Sequence, residues 1–233
     1  NGEDGRIPIV AVTGTNGKTT TVRLISHVLT LNGLCVGMTN TDGVYVGGTC
    51  IDTGDCSGPK SARNVLMHPD VDAAVLETAR GGILREGLAF DRCDVAVVTN
   101  VGAGDHLGLN YITTVQDLAV LKRVIVQNVA STGTAVLNAT DPIVATMAGK
   151  CKGAVTFFAI DKYHPIMATH RMQGHAVVYV EDGHIVAAKG DWTQRISLAD
   201  IPLTLGGAIG FQVENTMASI AAVWALGVDW DVI

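Results

Sequence analysis

The sequence has no Cys-x-x-Cys pair and no His-Glu-x-x-His, and its five cysteines, at 35, 50, 56, 93 and 151, are odd in number. That spacing excludes a disulfide framework and a zinc ribbon, and the thiols read as reduced packing residues. Basic residues are few. Sixteen Lys plus Arg against 22 Asp plus Glu leave a formal charge of −6, the wrong sign for a protein that lives on a polyanion, so nucleic acid is not an expected partner. No apolar run approaches the ~18 residues a membrane span needs. The opening Asn-Gly-Glu-Asp-Gly-Arg carries no apolar signal segment. Neither a membrane nor export is expected, and the chain reads as cytoplasmic. Starting at Asn1 and stopping just after a helix and a turn, it reads as a piece of a longer polypeptide.

What is present is apolar content: 48% of 233 residues, enough for the core of one large domain. Continuous apolar runs alternate with helix-periodic segments, the pattern of an α/β fold with a mostly parallel sheet and helices on both faces. Strands are predicted at 7–13, 34–39, 71–77, 94–100, 134–138 and 154–160. Helices are predicted at 18–31, 61–67, 114–129, 142–148 and 212–226. From Gly174 to about residue 210 the pattern changes to a small antiparallel annex. Its first hairpin turns at Asp182-Gly183, a pair suited to the type I′ turn.

Between the first strand and helix lies Thr13-Gly14-Thr15-Asn16-Gly17-Lys18-Thr19-Thr20. Glycines at such a junction let backbone N–H groups and a helix N-terminus surround a phosphate, while Lys18 supplies a point charge and Thr19 a hydroxyl for magnesium. Val12 stands where the general phosphate-loop pattern has glycine, so the loop belongs to a variant class. Ligands of open parallel sheets sit beyond the carboxyl ends of the strands. Glu77 ends one strand and is either a second magnesium partner or a solvated strand end. Asn100 ends the next, followed by Asp105 and His106. Lys122 shares a helix stripe with Val115, Ala119 and Val126, so it either snorkels to water or turns into the crevice. Arg80 and Arg85 are phosphate or carboxylate clamps, or solvated surface arginines.

Taken in order, the Gly-Thr-Asn-Gly-Lys-Thr loop, Glu77, Asp105-His106-Leu107-Gly108, Lys122, the stretch 136–142 and Phe211-Gln212-Val213-Glu214-Asn215 resemble the central domain of the Mur ligases. Three stretches, 41–45, 54–62 and 72–88, are most similar to the cyanophycin synthetase branch of that superfamily. The resemblance spans nearly all of residues 1–233 and implies a single central ATP-binding domain, with the ATP-grasp region and the Mur C-terminal domain lying outside the chain. It implies an ATP-dependent amide ligase that phosphorylates the β-carboxyl of a polyaspartate chain and joins L-arginine to it. Gly14, Thr15, Asn16, Gly17, Lys18, Thr19 and Thr20 would then hold the ATP phosphates. Thr19 and Glu77 would bind Mg2+, and His106 a second Mg2+. Lys122 matches a lysine that many Mur ligases carry as a carbamate. Asn215 matches an asparagine at the adenine, and Gln212 stands where the family generally has Asn. Asp42 and Arg80 match positions near the acceptor. Two other readings stay open, a non-catalytic nucleotide-binding scaffold and a Mur-type ligase for another acid and amine, as does self-association as a homo-oligomer.

Overall fold

The computed structural model describes residues 5–102 and 112–233. One sheet runs through it, and eleven strands are found among those residues. They are β1 (Ile9–Thr13), β2 (Val36–Thr39), β3 (Gly43–Val46), β4 (Thr49–Thr53), β5 (Ala73–Glu77), β6 (Cys93–Val98), β7 (Val129–Asn138), β8 (Ala154–Asp161), β9 (Val177–Glu181), β10 (His184–Lys189) and β11 (Trp192–Ser197). Seven helices accompany them: α1 (Lys18–Leu31), α2 (Pro59–Leu66), α3 (Arg80–Glu86), α4 (Val115–Gln127), α5 (Pro142–Thr146), α6 (Pro165–Met172) and α7 (Gly210–Ala225).

The strand order is β11-β10-β9-β8-β7-β6-β1-β5-β2-β3-β4. From β9 to β2 every neighbour is parallel, whereas β9–β10–β11 and β2–β3–β4 are antiparallel wings. The annex expected at 174–210 is thus present but not separate, because β9 pairs parallel with β8 and extends the main sheet. Its hairpin turns at Asp182 and Gly183, both at positive φ (49° and 72°), as a type I′ turn requires.

The helices divide between the faces for a chiral reason. Parallel crossovers are right-handed, so the direction of travel along the sheet decides which face the helix covers. The connections carrying α2 to α6 all move the same way, toward β9, and Val65, Leu118, Val144 and Met167 share one core with Ile9, Ala11, Ala74, Leu76, Ala96 and Val98, with Leu84 of α3 packed against it. α1 moves the other way and packs Val22, Ile25 and Leu29 on the opposite face, over Val10, Val12, Val75, Val95 and Val97. The odd and even residues of each central strand therefore feed different cores, as a period of two demands. α1 cannot cover that face alone. α7 returns to fill it, packing Val213, Met217, Ala218 and Ala221 beside α1 and across β6 to β9.

This reversal of direction positions the site. From β1 the chain moves toward β2, and from β6 it moves toward β7, so the loops after these neighbouring strands part and leave a crevice at the carboxyl end of the sheet.

Candidate active site

The loop after β1 lies in that crevice, and its shape depends on two glycines. Gly17 sits at φ +84°, and a Cβ there would stand 2.1 Å from Asn215 Oδ1 on α7. A Cβ on Gly14 would stand 1.9 Å from Thr99 Oγ1. Side chains at either position are excluded by space as well as by conformation. The loop is held from the β6 side. Asn100 accepts from Thr15 N–H through its carbonyl (3.0 Å) and from Asn16 N–H through Oδ1 (2.9 Å), and Thr99 Oγ1 donates to the Asn16 carbonyl at 2.6 Å. Asn138 at the end of β7 braces Thr99 in turn, donating to its carbonyl at 3.0 Å.

Two lysines reach the loop. Lys18 Nζ donates to the carbonyls of Gly14 (3.0 Å) and Thr15 (3.1 Å). Lys122, 1% exposed, donates to the same Gly14 carbonyl at 2.8 Å. The alternative in which Lys122 snorkels to water is thereby excluded: its ammonium is turned inward, under the loop.

Glu77, at the carboxyl end of β5, is 2% exposed, so it is not a solvated strand end. Its Oε2 accepts from Thr19 Oγ1 at 2.7 Å, and Thr19 Oγ1 is also 3.2 Å from Thr41 Oγ1. Glu77 Oε1 is buried with no hydrogen-bond partner among the described residues. Burial pushes this carboxyl above its ordinary value, against the opposing pull of the Thr19 hydroxyl and the Lys18 charge. A buried carboxylate oxygen without a donor, beside a threonine hydroxyl, is a donor set for a hard, oxygen-seeking cation. Among the described residues no three His, Cys, Asp or Glu converge. His106 and Asp105 lie outside the described residues.

Beside the loop a cavity of about 450 Å³ opens between the starts of α1 and α7. Asn16, Gly17 and Asn100 line it on the loop side, and the buried Phe158, the exposed Phe211 and Glu214 also line it. Phe211 is 65% exposed there. Asn215 also lines it, with its amide donating to Gln212 Oε1 at 3.1 Å. Gln212 is not itself part of the lining and meets Asn215 through this hydrogen bond. A larger cleft, about 750 Å³, lies at the opposite ends of the strands around Arg6, His68 and Phe90, away from the glycine loop.

The remaining expected residues sit at the rim. Asp42 follows β2 and pairs at 2.6 Å with Arg23, both exposed. Arg80 opens α3 and is partly buried, while Arg85 near its end is exposed. Sequence reasoning did not single out Thr99 or Phe158, which the fold brings in from the end of β6 and from β8, and it marked Thr41 only as part of the stretch 41–45. Phe211 lay in a stretch already marked, with an aromatic in the first turn of a helix as the available signal.

The Mur ligase middle domain model matches residues 12–223. The chain belongs to the Mur ligase family. It is 49% identical over 235 residues to a cyanophycin synthetase of Synechocystis sp., a match covering all of this chain and 27% of that protein. The chain spans about a quarter of the length of the cyanophycin synthetases it matches. In fold, this Mur ligase domain resembles a UDP-N-acetylmuramoyl-L-alanyl-D-glutamate--2,6-diaminopimelate ligase, with a TM-score of 0.71 and 19% identity over 97% of this chain and 45% of that one. A bifunctional folylpolyglutamate synthase/dihydrofolate synthase solved with Mn, AMPPNP and L-glutamate has a TM-score of 0.62 at 15% identity, over 97% and 55%. No helix among the described residues is long and apolar enough to cross a membrane.

Proposed function

We propose that this domain is the ATP-binding and carboxylate-activating unit of a cyanophycin synthetase, which phosphorylates the β-carboxyl of a polyaspartate chain and joins L-arginine to it. The observation that carries the reading is the joining of two half-sites on one loop. A phosphate cradle with Lys18 and the Thr19–Glu77 pair lies on one side, and an aromatic-walled cavity lies on the other. The near-half identity to cyanophycin synthetases supports the choice of acid and amine.

In this reading the adenine enters between Phe211 and the loop side of the cavity, near Asn215, and the phosphates lie along the backbone N–H groups of Gly14 to Thr19. Lys18 exchanges its two loop carbonyls for phosphate oxygens. Thr19 and Glu77 would hold magnesium, which when bound neutralises phosphate charge. An aspartyl carboxylate oxygen attacks the γ-phosphorus, the bond to ADP breaks, and an acyl phosphate results. The arginine amine then displaces phosphate, losing a proton. Most of the rate enhancement comes from positioning and charge stabilisation. Lys122 keeps the loop fixed while Lys18 changes partners, and Asp42 and Arg80 face the side from which the acceptor arrives.

Calorimetric titration of ATP with magnesium into the wild type and Lys18→Ala tests the first half of this. Saturable binding by the wild type, lost in the variant, is expected. Equal binding by both would overturn the assignment of the loop.

A further inference from the structure

All three tryptophans of the chain form one cluster far from the glycine loop. Trp192 opens β11, the outermost strand, while Trp224 and Trp230 belong to the end of α7 and the segment after it. Trp192 stacks on Trp224 at 4.9 Å (18° between planes) and on Trp230 at 5.7 Å (6°). Trp224 and Trp230 are 6.3 Å apart. Two rings bracketing a third would have to be about 7 Å apart, twice the closest approach of carbon atoms. Trp224 and Trp230 therefore do not enclose Trp192 between them, in keeping with its 40% exposure.

The sequence around this cluster is acidic on balance, with Lys189 the cation directly across the hairpin from Trp192. Residues 174–233 contain two Lys plus Arg and seven Asp plus Glu, a balance of −5 out of the whole chain's −6. Glu181 is taken up by Lys162 and Arg195. Asp191, beside Trp192 in sequence, and Asp229 and Asp231, on either side of Trp230, are exposed. An open indole face among carboxylates is suited to a planar cation, because guanidinium stacks on the ring and pairs with carboxylate at the same time. An ammonium can do only the second well.

We infer that the Trp192 face is a docking surface for a guanidinium-bearing polymer, the arginylated product, held here while its growing end occupies the crevice. This inference rests on the proposed function for its polymer. It deepens that reading by adding a holding surface separate from the nucleotide site.

The test uses a short synthetic β-aspartyl-arginine polymer titrated calorimetrically into this protein, with tryptophan emission as a second readout because all three tryptophans lie in the stack. Saturable binding that weakens with salt is expected, and Trp192→Ala should weaken it by about fivefold or more. Trp192→Phe should retain most of the affinity. Asp191→Asn combined with Asp229→Asn provides a second route should Trp192→Ala fail to fold, and it too should weaken binding. Unchanged affinity in Trp192→Ala, or equal affinity for a lysine polymer of the same charge, would overturn the inference. Lys18-dependent ATP binding separates the two readings, since its loss with polymer binding intact sinks the proposed function, and the converse sinks only the docking surface.

Discussion

Replacing Glu77 with Gln should make this domain more stable and at the same time disable it. The side chain is 2% exposed; among the described residues one carboxylate oxygen has no hydrogen-bond partner, and the carboxylate is met by the Thr19 hydroxyl and the backbone N–H of Thr41. Burying a charged group without a full set of partners costs more than burying a neutral amide, by a margin on the order of 1–3 kcal/mol, and glutamine has the same shape, removes the charge and keeps a carbonyl for Thr19. For a chain of this length each kcal/mol moves the melting temperature by about 2–4 °C, so a rise of roughly 2–12 °C is expected by circular dichroism without nucleotide. The pH dependence follows from the direction of the shift. Burial raises the folded-state pKa above the ordinary 4.5, so the folded state binds the proton more tightly than the unfolded chain does. Below 4.5 both states are protonated and Glu77 costs nothing. As pH rises from there through the raised value, the wild type loses stability that Glu77→Gln does not lose, and the gap between them widens to a plateau. Magnesium-dependent ATP binding, measured by calorimetry, should fall in the same variant. A lower melting temperature, or undiminished magnesium-dependent affinity, would refute this account of the carboxylate.

Gly17→Ala places a methyl on Asn215 Oδ1 at φ +84° and should destabilise the domain by more than about 1 kcal/mol, with ATP affinity falling in the same titration. Lys122→Met removes a buried charged donor from the Gly14 carbonyl. It should cost about 1.5–3 kcal/mol, seen as a melting temperature several degrees lower, and an unchanged melting curve would show that the lysine is not bracing the loop. Phe211→Ala, at a position 65% exposed, should leave stability within about 0.5 kcal/mol and weaken ATP binding by about fivefold or more through lost base stacking.

How much of this was legible in the sequence depended on whether a feature was local. The glycine loop, Lys18 and Thr19 occupy consecutive positions at a strand-to-helix junction, and the Asp182-Gly183 turn names its own geometry. Glu77 could be located at a strand end, but its burial could not, because that depends on α1 and the segment after β2 closing over it. Periodicity put Lys122 on an apolar stripe without saying which way its ammonium turned, since the Gly14 carbonyl it meets is 108 positions away. The β3–β4 wing was missed because Thr49–Thr53 is exposed at every position and shows no alternation. α3 was missed because Gly81-Gly82 reads as a loop, yet a Cβ on Gly82 would stand 2.8 Å from Gly58 Cα, so glycine is there for close packing against the start of α2.

The place of α7 bears on how the chain reaches this structure in time. Ser219 Oγ donates to the Thr21 carbonyl across 198 positions, and Asn215 lies against Gly17 across the same separation. β1 pairs with β5 and β6, which begin at residues 73 and 93, so its neighbours in the sheet are made long after it. Closing such long loops precedes any reward from the contacts they bring, so this topology belongs with slow folders. At about 5–20 residues per second, the glycine loop waits at least roughly ten seconds for the helix that completes its crevice. Throughout that interval the apolar face awaiting α7 is without its cover, which makes the nascent chain a natural client for chaperones.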